Sequence, residues 1–483
     1  MSDKPTPTPN AVEESVSTSG WNWLARLLNP WIAISVLLVV AFLSAPFVYR
    51  QMQLSGLPDI EEPFDVEAYM NRSTVPADNA IAEYTGAISL LIRPVSDVEQ
   101  ELVKLIESGR MIPSAELLDW LSKNQPALQA WKKGTQKPLF AEFEMRNLNY
   151  ATLLNSTQEL RSFARMAIVQ GIHLQEQGKP DQAIEWYLAA YRSSLQIQTR
   201  GCLIQFLVGY AIQGMAAPHV VAWSQHNDVT AEQIQQVRAQ LTKWHKRTVK
   251  LSDAMKSEYV ALRNTMQSTD PATIAALVGI PLPAAGTSYS ALLLHAILFV
   301  QNEPTVSMRG IKHWQANLLR HIDKPLYDRP AHTRYGLFDE PPTTKRPAEH
   351  LTAREIEAVA DRTYLFRSLL PAFQNVCQAH DRFLMRQQLL DVVLALEMYR
   401  KAQGRYPKAL SDLPKSLLAA IPQDLFDTKG ASIKYKRVSK QQATVYSNGK
   451  NRTDDGGDVS ASGTSLDLGY PLDPARLKPV VAP

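Results

Sequence analysis

The first strong pattern in the chain is an unbroken apolar run. Residues 27–49 carry no charge and are bracketed by Arg26 and Arg50. About twenty apolar residues are what a hydrocarbon core of roughly 30 Å requires. Asn29 followed by Pro30 suits a helix start, a capping side chain and then proline in the first turn. Trp21, Trp23 and Trp31 stand at one end of the run and Tyr49 at the other, as interfacial aromatics do. A core helix would show a polar face, and this run shows none. A cleaved signal peptide would end in a small-x-small site, which does not follow the run cleanly. Residues 31–49 are therefore expected to be a retained transmembrane helix in a lipid bilayer.

After the run the period changes. From Val66 to about Met266 apolar residues recur at helical spacing, as in Ile184, Tyr187, Leu188, Tyr191 and Leu195. Breaks are expected at Pro76, Pro94, Pro113, Pro126, Pro138 and Gly178-Lys179-Pro180. Residues 164–190 resemble one tetratricopeptide-type helical hairpin. Gly171 occupies the small position, Leu174 the next contact, and Gly178-Lys179-Pro180-Asp181 the turn. Ala183, Tyr187 and Ala190 take the small, aromatic and small positions of the second helix. The first-helix Trp and Leu positions of that repeat hold Ala167 and Gln170. A stacked array needs about three units, so one hairpin implies no solenoid. It implies a groove for a peptide or a partner helix.

Residues 271–302 carry no charge, and Pro281, Pro283 and Gly286 interrupt them; Ala291–Val300 is too short to span and is expected as a buried helix. Residues 323–350, rich in Pro and charge, are expected as a long irregular connection.

A long helix is expected from about Glu355 to Gln403, with a break at Pro371. Leu389, Val392, Leu396 and Tyr399 form its apolar stripe and Gly404 its end. Tyr406-Pro407, a short turn at Leu410–Leu417 and Ile421–Asp427 follow. Ile433 and Tyr435 alternate with Lys434 and Lys436, and Thr444, Val445 and Tyr446 form the partner strand of a hairpin. The stretch closes on Ser447 to Asp458, rich in Asn, Asp and Gly. This order, over about 388–470, resembles the C-terminal module of the major pseudopilins of type II secretion. It is also similar to the tails of uncharacterised membrane-anchored proteins of planctomycete-type bacteria. The pseudopilin resemblance implies a calcium-binding loop. Asp454, Asp455 and Asp458, with Gly456-Gly457 allowing a sharp turn, could converge oxygens on Ca2+; Asn448 and Asn451 could add more. Asp467 stands where pseudopilins place a later acidic ligand. The chain departs from that family at its start. No basic leader, Gly-Phe junction or glutamate five residues into the apolar helix surrounds Trp31.

The fold expected is mainly α: one transmembrane helix, a multi-helix body and a small C-terminal α+β module with a β-hairpin. The expected segments are a disordered tail 1–28, the membrane helix 29–50 and a helical body 51–270. Beyond them lie the apolar helix and connection 271–350, the long helix and sheet module 351–470, and a tail 471–483. Composition narrows the function. The net charge of +4 comes from 51 basic and 47 acidic residues, with no Lys/Arg block, so a nucleic-acid partner is not expected. Cys202 and Cys377 are too few for a disulfide framework; they are either one bridge in an oxidising compartment or two buried thiols. Six of the ten histidines lie between His295 and His380 without ligand-pair spacing, and no nucleophile elbow, phosphate loop or dinucleotide fingerprint is present. Arg26 and Arg50 balance across the run, so charge does not decide orientation. A short cytoplasmic tail and a large extracytoplasmic part is the simpler arrangement. The function expected is a membrane-anchored scaffold or adaptor of the bacterial envelope, linked to secretion by the resemblance, with protein partners on the helical body. The alternative is an extracytoplasmic enzyme between that body and the 323–350 connection, motivated by His313, His321, Asp323 and Asp328.

Overall fold

In the computed structural model the uncharged run forms a continuous helix, α1 (Pro30–Ser55), which passes through Pro46 and extends beyond Tyr49. The structure describes residues 30–72, 74–108, 113–152, 154–268, 303–369, 373–459 and 466–477. The expected tail 1–28 and the expected helix Ala291–Val300 lie outside them.

The body begins with α2 (Val66–Met70), α3 (Ile81–Ser89), α4 (Ser96–Ser108), α5 (Ala115–Lys123) and α6 (Gln125–Gly134). Three longer helices follow: α7 (Asn155–Glu176), α8 (Pro180–Gln196) and α9 (Leu203–Gln225). Then come α10 (Ala231–His245), α11 (Leu251–Gln267) and α12 (Glu303–His321). Local chemistry sets their ends. Ser114 accepts the Leu117 N–H to cap α5, and Thr230 and Gln233 form a reciprocal capping box on α10. Between α7 and α8, Gly178 sits at φ +72° while its N–H and that of Lys179 return to the Gln175 and Leu174 carbonyls, both at 3.0 Å. Only a residue without Cβ takes that backbone cheaply, and Pro180 then opens α8.

The expected single helix over 355–403 is three: α13 (Ala353–Asp361), α14 (Tyr364–Leu369) and α15 (Phe373–Gln403). The expected break at Pro371 lies outside the described residues; α13 ends at Arg362, whose N–H turns back to the Val359 carbonyl at 3.1 Å. The expected hairpin is present as β1 (Lys434–Arg437) and β2 (Ala443–Ser447), with Tyr435 opposite Val445. A third strand not expected from the sequence, β3 (Leu468–Leu472), pairs antiparallel with β2 and sets Tyr470 opposite Val445.

Two apolar cores run through the body. The first gathers residues of α3 to α10, the second half of α15 (Met385, Leu389, Val392, Leu396) and the sheet (Val445, Tyr470, Leu472). The second joins Val66 and Tyr69 of α2 to α11, α12 and α13, and to the first half of α15 (Val376, Cys377, Phe383). Helix α9 also serves both, giving Phe206 and Tyr210 to the second and Ile212, Val220 and Trp223 to the first. The two long helices α9 and α15 are thus the shared spine. Cys202 and Cys377 are free thiols buried in the second core. Burial pushes the Cys202 thiol up to about 11 and the Cys377 thiol to about 12.

Among the described residues one helix, Leu203–Gln225, is long and apolar enough to cross a membrane, and a shorter apolar stretch covers Pro30–Ala45. Their surroundings differ. Two-thirds of the α9 stretch is buried within the protein. Along α1, Trp31, Leu37 and Phe42 are 76%, 66% and 79% exposed.

Candidate functional site

Three places bring together chemistry or surface beyond what packing requires. The first is the foot of α1. Arg50 there is buried and donates to the buried Glu303 carboxylate at 2.7 Å and to the Arg362 carbonyl at 2.9 Å. Arg309 of α12 donates to the Leu54 carbonyl in the last turn of α1 and to the Leu57 carbonyl just beyond it, both at 3.0 Å. Lys312 reaches Asp59 at 3.0 Å. His313 is a neutral ring, its charged form disfavoured by burial. Its Nε2–H donates to the Pro58 carbonyl at 3.0 Å and its Nδ1 accepts the Leu351 N–H at 3.2 Å. The apolar helix is therefore joined rigidly to α12 and α13 rather than tethered by a free linker.

The second is a groove of about 630 Å³ between α8 and α10. The αα-hairpin of α7 and α8 forms its base through a close contact: a Cβ built on Gly171 would stand 2.3 Å from Cε1 of Tyr187. Ile184 and Leu188 of α8 floor the groove, and Gln233, Gln236 and Gln240 of α10 line its wall. Lys132 closes one side, paired with Glu185 at 2.8 Å and lying 4.4 Å over the Trp186 ring. Apolar floor plus amide side chains suits a chain segment, because carboxamides match both backbone N–H and C=O. The glutamines recur at i, i+3 and i+7, a helix-face signal that was legible in the sequence but overlooked there.

The third is the Asp/Gly loop after β2. Asp467 is buried, and its two carboxylate oxygens accept the backbone N–H groups of Gly457 at 2.8 Å and Asp455 at 3.4 Å. Asp454 accepts from the Tyr446 hydroxyl at 3.2 Å and from the Gly456 N–H at 3.0 Å. Asp455 accepts from the Asn451 amide at 2.7 Å, and Asp458 is exposed. Burial, then the charges of Asp455 and Asp454, raises the Asp467 carboxyl above its ordinary range, although the two backbone N–H groups pull the other way. Among the described residues no three His, Cys, Asp or Glu side chains form a group that could hold a metal ion. Asn448 turns away from this loop, donating its N–H to the buried Asp424 at 2.9 Å. Asp424 also accepts from the Ser447 hydroxyl at 2.5 Å and the Phe426 N–H at 2.9 Å, so the Pro-x-Asp-x-Phe segment is a fastening between loop and sheet.

The residues behind the enzymatic alternative separate. Asp328 is exposed, and Asp323 accepts the N–H and hydroxyl of Ser252 at 3.1 and 2.6 Å. His321 lies 2.8 Å from Glu340, whose side chain is almost inaccessible and which Arg320 also holds through two bonds of 2.6 and 3.2 Å. Burial opposes ionisation of Glu340, but the His321 and Arg320 hydrogen bonds outweigh it and bring its carboxyl down to about 2. Arg329 makes two bonds of 2.8 Å to the buried Asp381 on α15. These pairs pin the irregular connection to α12 and α15. His313 faces Pro58 at the foot of α1, so His313, His321 and Asp323 each engage a different partner. No family model, curated protein or solved structure matches the chain.

Proposed function

We propose that this chain is a scaffold or adaptor anchored in a bacterial envelope membrane by residues 31–49, with the tail inside and the body outside the cytoplasm. The observation that carries the reading is the contrast between two apolar helices. Helix α9 is two-thirds buried in the protein, whereas most of the described apolar side chains of α1, from Trp31 to Tyr49, are exposed while its foot is fastened to the body. Bare side chains of that size are costly in water, at about 25 cal/mol per Å², and cost nothing in hydrocarbon. The body then presents the α8–α10 groove to a peptide or helix of a protein partner, in line with the tetratricopeptide-like hairpin at its base. The pseudopilin-like tail supports a secretion-linked setting.

Crosslinking in intact membranes followed by solubilisation tests the adaptor reading. A stable partner should be captured by wild type and lost with Leu188→Arg, which places charge on the groove floor. The same yield from both, or no partner under several conditions, overturns it.

A second reading concerns calcium. Burial is the main cause that raises the Asp467 carboxyl, and the charges of Asp455 and Asp454 add to it; that smaller repulsion is what a bound Ca2+ would relieve, with the exposed Asp458 on the same loop, although the side chains would first have to draw together. Calcium should then raise the thermal midpoint relative to chelator, and Asp455→Asn should abolish the rise. An unchanged midpoint at saturating calcium ends this reading.

A further inference from the structure

The foot of α1 carries a cavity of about 430 Å³, within the size range of small-molecule sites. One wall is the anchor helix itself and the residue after it: Tyr49, Met52 and Gly56. The other is Val306 of α12 with Ala358 and Val359 of α13. The walls are mostly apolar. At the rim stands Arg362, exposed, its carbonyl taken by Arg50 while its guanidinium makes no ion pair or hydrogen bond among the described residues. Glu355 also borders the cavity, but its carboxylate is turned to the Thr352 N–H and hydroxyl at 2.7 and 2.8 Å. The cavity thus offers apolar walls and one unengaged cation.

Its position decides the occupant. Met52 lies about 4.5 Å beyond Tyr49 along the helix axis, at 1.5 Å per residue. The polar layer of a bilayer is about 5–8 Å thick on each side of the hydrocarbon. A cavity whose wall continues the membrane helix at that height opens into the layer of phosphates and glycerol esters. We infer that this cavity is a binding site for one glycerophospholipid of the leaflet beside the body. Its phosphate lies on Arg362, and its glycerol and upper acyl groups lie against Met52, Val306 and Val359. The inference rests on the membrane-anchor reading and adds a specific lipid to it. Arg fits phosphate by a forked, charge-assisted contact, and the rigid foot of α1 keeps the walls in place as the lipid enters.

The test is native mass spectrometry of the full-length chain purified in mild detergent, with lipid extraction of the same preparation. Wild type should retain one phospholipid that survives washing. Arg362→Glu should weaken retention about tenfold or more, by loss and reversal of one charge-assisted contact. Ala358→Trp, at an exposed helix position, should fill the cavity and release the lipid, with a midpoint no lower than that of the wild-type chain stripped of lipid. Retention that is equal in all three proteins, or only a statistical ladder of weak adducts, overturns the inference. Alkaline carbonate extraction separates the two ideas. A chain that stays in the pellet but holds no lipid sinks this inference alone, and a chain released to the supernatant sinks the anchor with it.

Discussion

Gly171→Ala and Gly86→Ala make the same chemical change on two helices and are expected to move stability in opposite directions. In a helix interior alanine is favoured over glycine by about 0.8–1.0 kcal/mol. At Gly86, exposed on α3, a Cβ meets nothing within 4 Å, so most of that gain is kept. At Gly171 the new atom would stand 2.3, 2.8 and 2.9 Å from Cε1, Cδ1 and Cζ of Tyr187. That ring cannot swing aside. It is fully buried, lies 5.5 Å from the His219 ring in a stacked arrangement, and donates its hydroxyl to Gln175 at 3.3 Å. Overpacking of this kind costs about 1–3 kcal/mol, and contact with three ring atoms puts the site in the upper part of that range. Net of the helix gain, Gly171→Ala should destabilise by about 1–2 kcal/mol. Urea unfolding of the full chain in detergent reads this as a lower midpoint at unchanged slope. In a Tyr187→Leu background the overpacking should largely vanish while the helix gain remains, giving a coupling of about 2–3 kcal/mol between the two positions. A Gly171→Ala protein as stable as wild type, or a penalty that persists without the ring, would refute the packing argument.

Burial lowers His219 and His245 to about 4 and His380, which also faces Arg329, to about 3, against 6.5 for a free histidine. The unfolded chain therefore binds protons that the folded chain refuses, and stability should fall as pH drops from about 6.5 to about 4, by up to about 1.4 kcal/mol per pH unit per histidine. Denaturation midpoints measured across that window check this, and a flat or rising profile toward acid would contradict it. Asp424→Ala should cost about 3 kcal/mol or more, because three donors, the Ser447 hydroxyl and the Asn448 and Phe426 N–H groups, lose a buried acceptor; thermal melts that match wild type would show that the fastening contributes nothing. Arg50→Met should cost about 3–5 kcal/mol by leaving Glu303 buried without its guanidinium, and adding Glu303→Leu should recover most of it; a double mutant no better than the single would place the loss elsewhere.

Much of the element pattern was legible because its causes are local. Pro30, Gly178 with Pro180, and Gly404 mark helix boundaries through backbone preferences that act within a few residues. The β1–β2 hairpin shows in the alternation of Ile433 and Tyr435 with lysines. The pairing of β3 depends on partners some twenty residues away, and Leu468–Leu472 with its Gly and Pro carries no strand signature. The break of the 355–403 helix at Arg362 was likewise hidden, since Arg362 and Thr363 are ordinary helix residues and packing sets the angle there.

The candidate site residues divide in the same way. That Asp454, Asp455, Asp458 and Asp467 crowd one loop is a matter of spacing and the third strand; that Asp467 spends its oxygens on the loop's own N–H groups is visible only in three dimensions. His313, His321 and Asp323 are close in sequence, yet each engages a different neighbour: the Pro58 carbonyl, Glu340 and Ser252. Composition alone decides that α1 and α9 are both apolar on all sides, since hydropathy is a property of the residues themselves. Which of the two is wrapped by protein, and which is left mostly exposed with Arg50 bound to Glu303 at its foot, is decided by contacts between separate segments, 253 residues apart in the case of Arg50 and Glu303. Burial is a relation among segments, and no single segment encodes it.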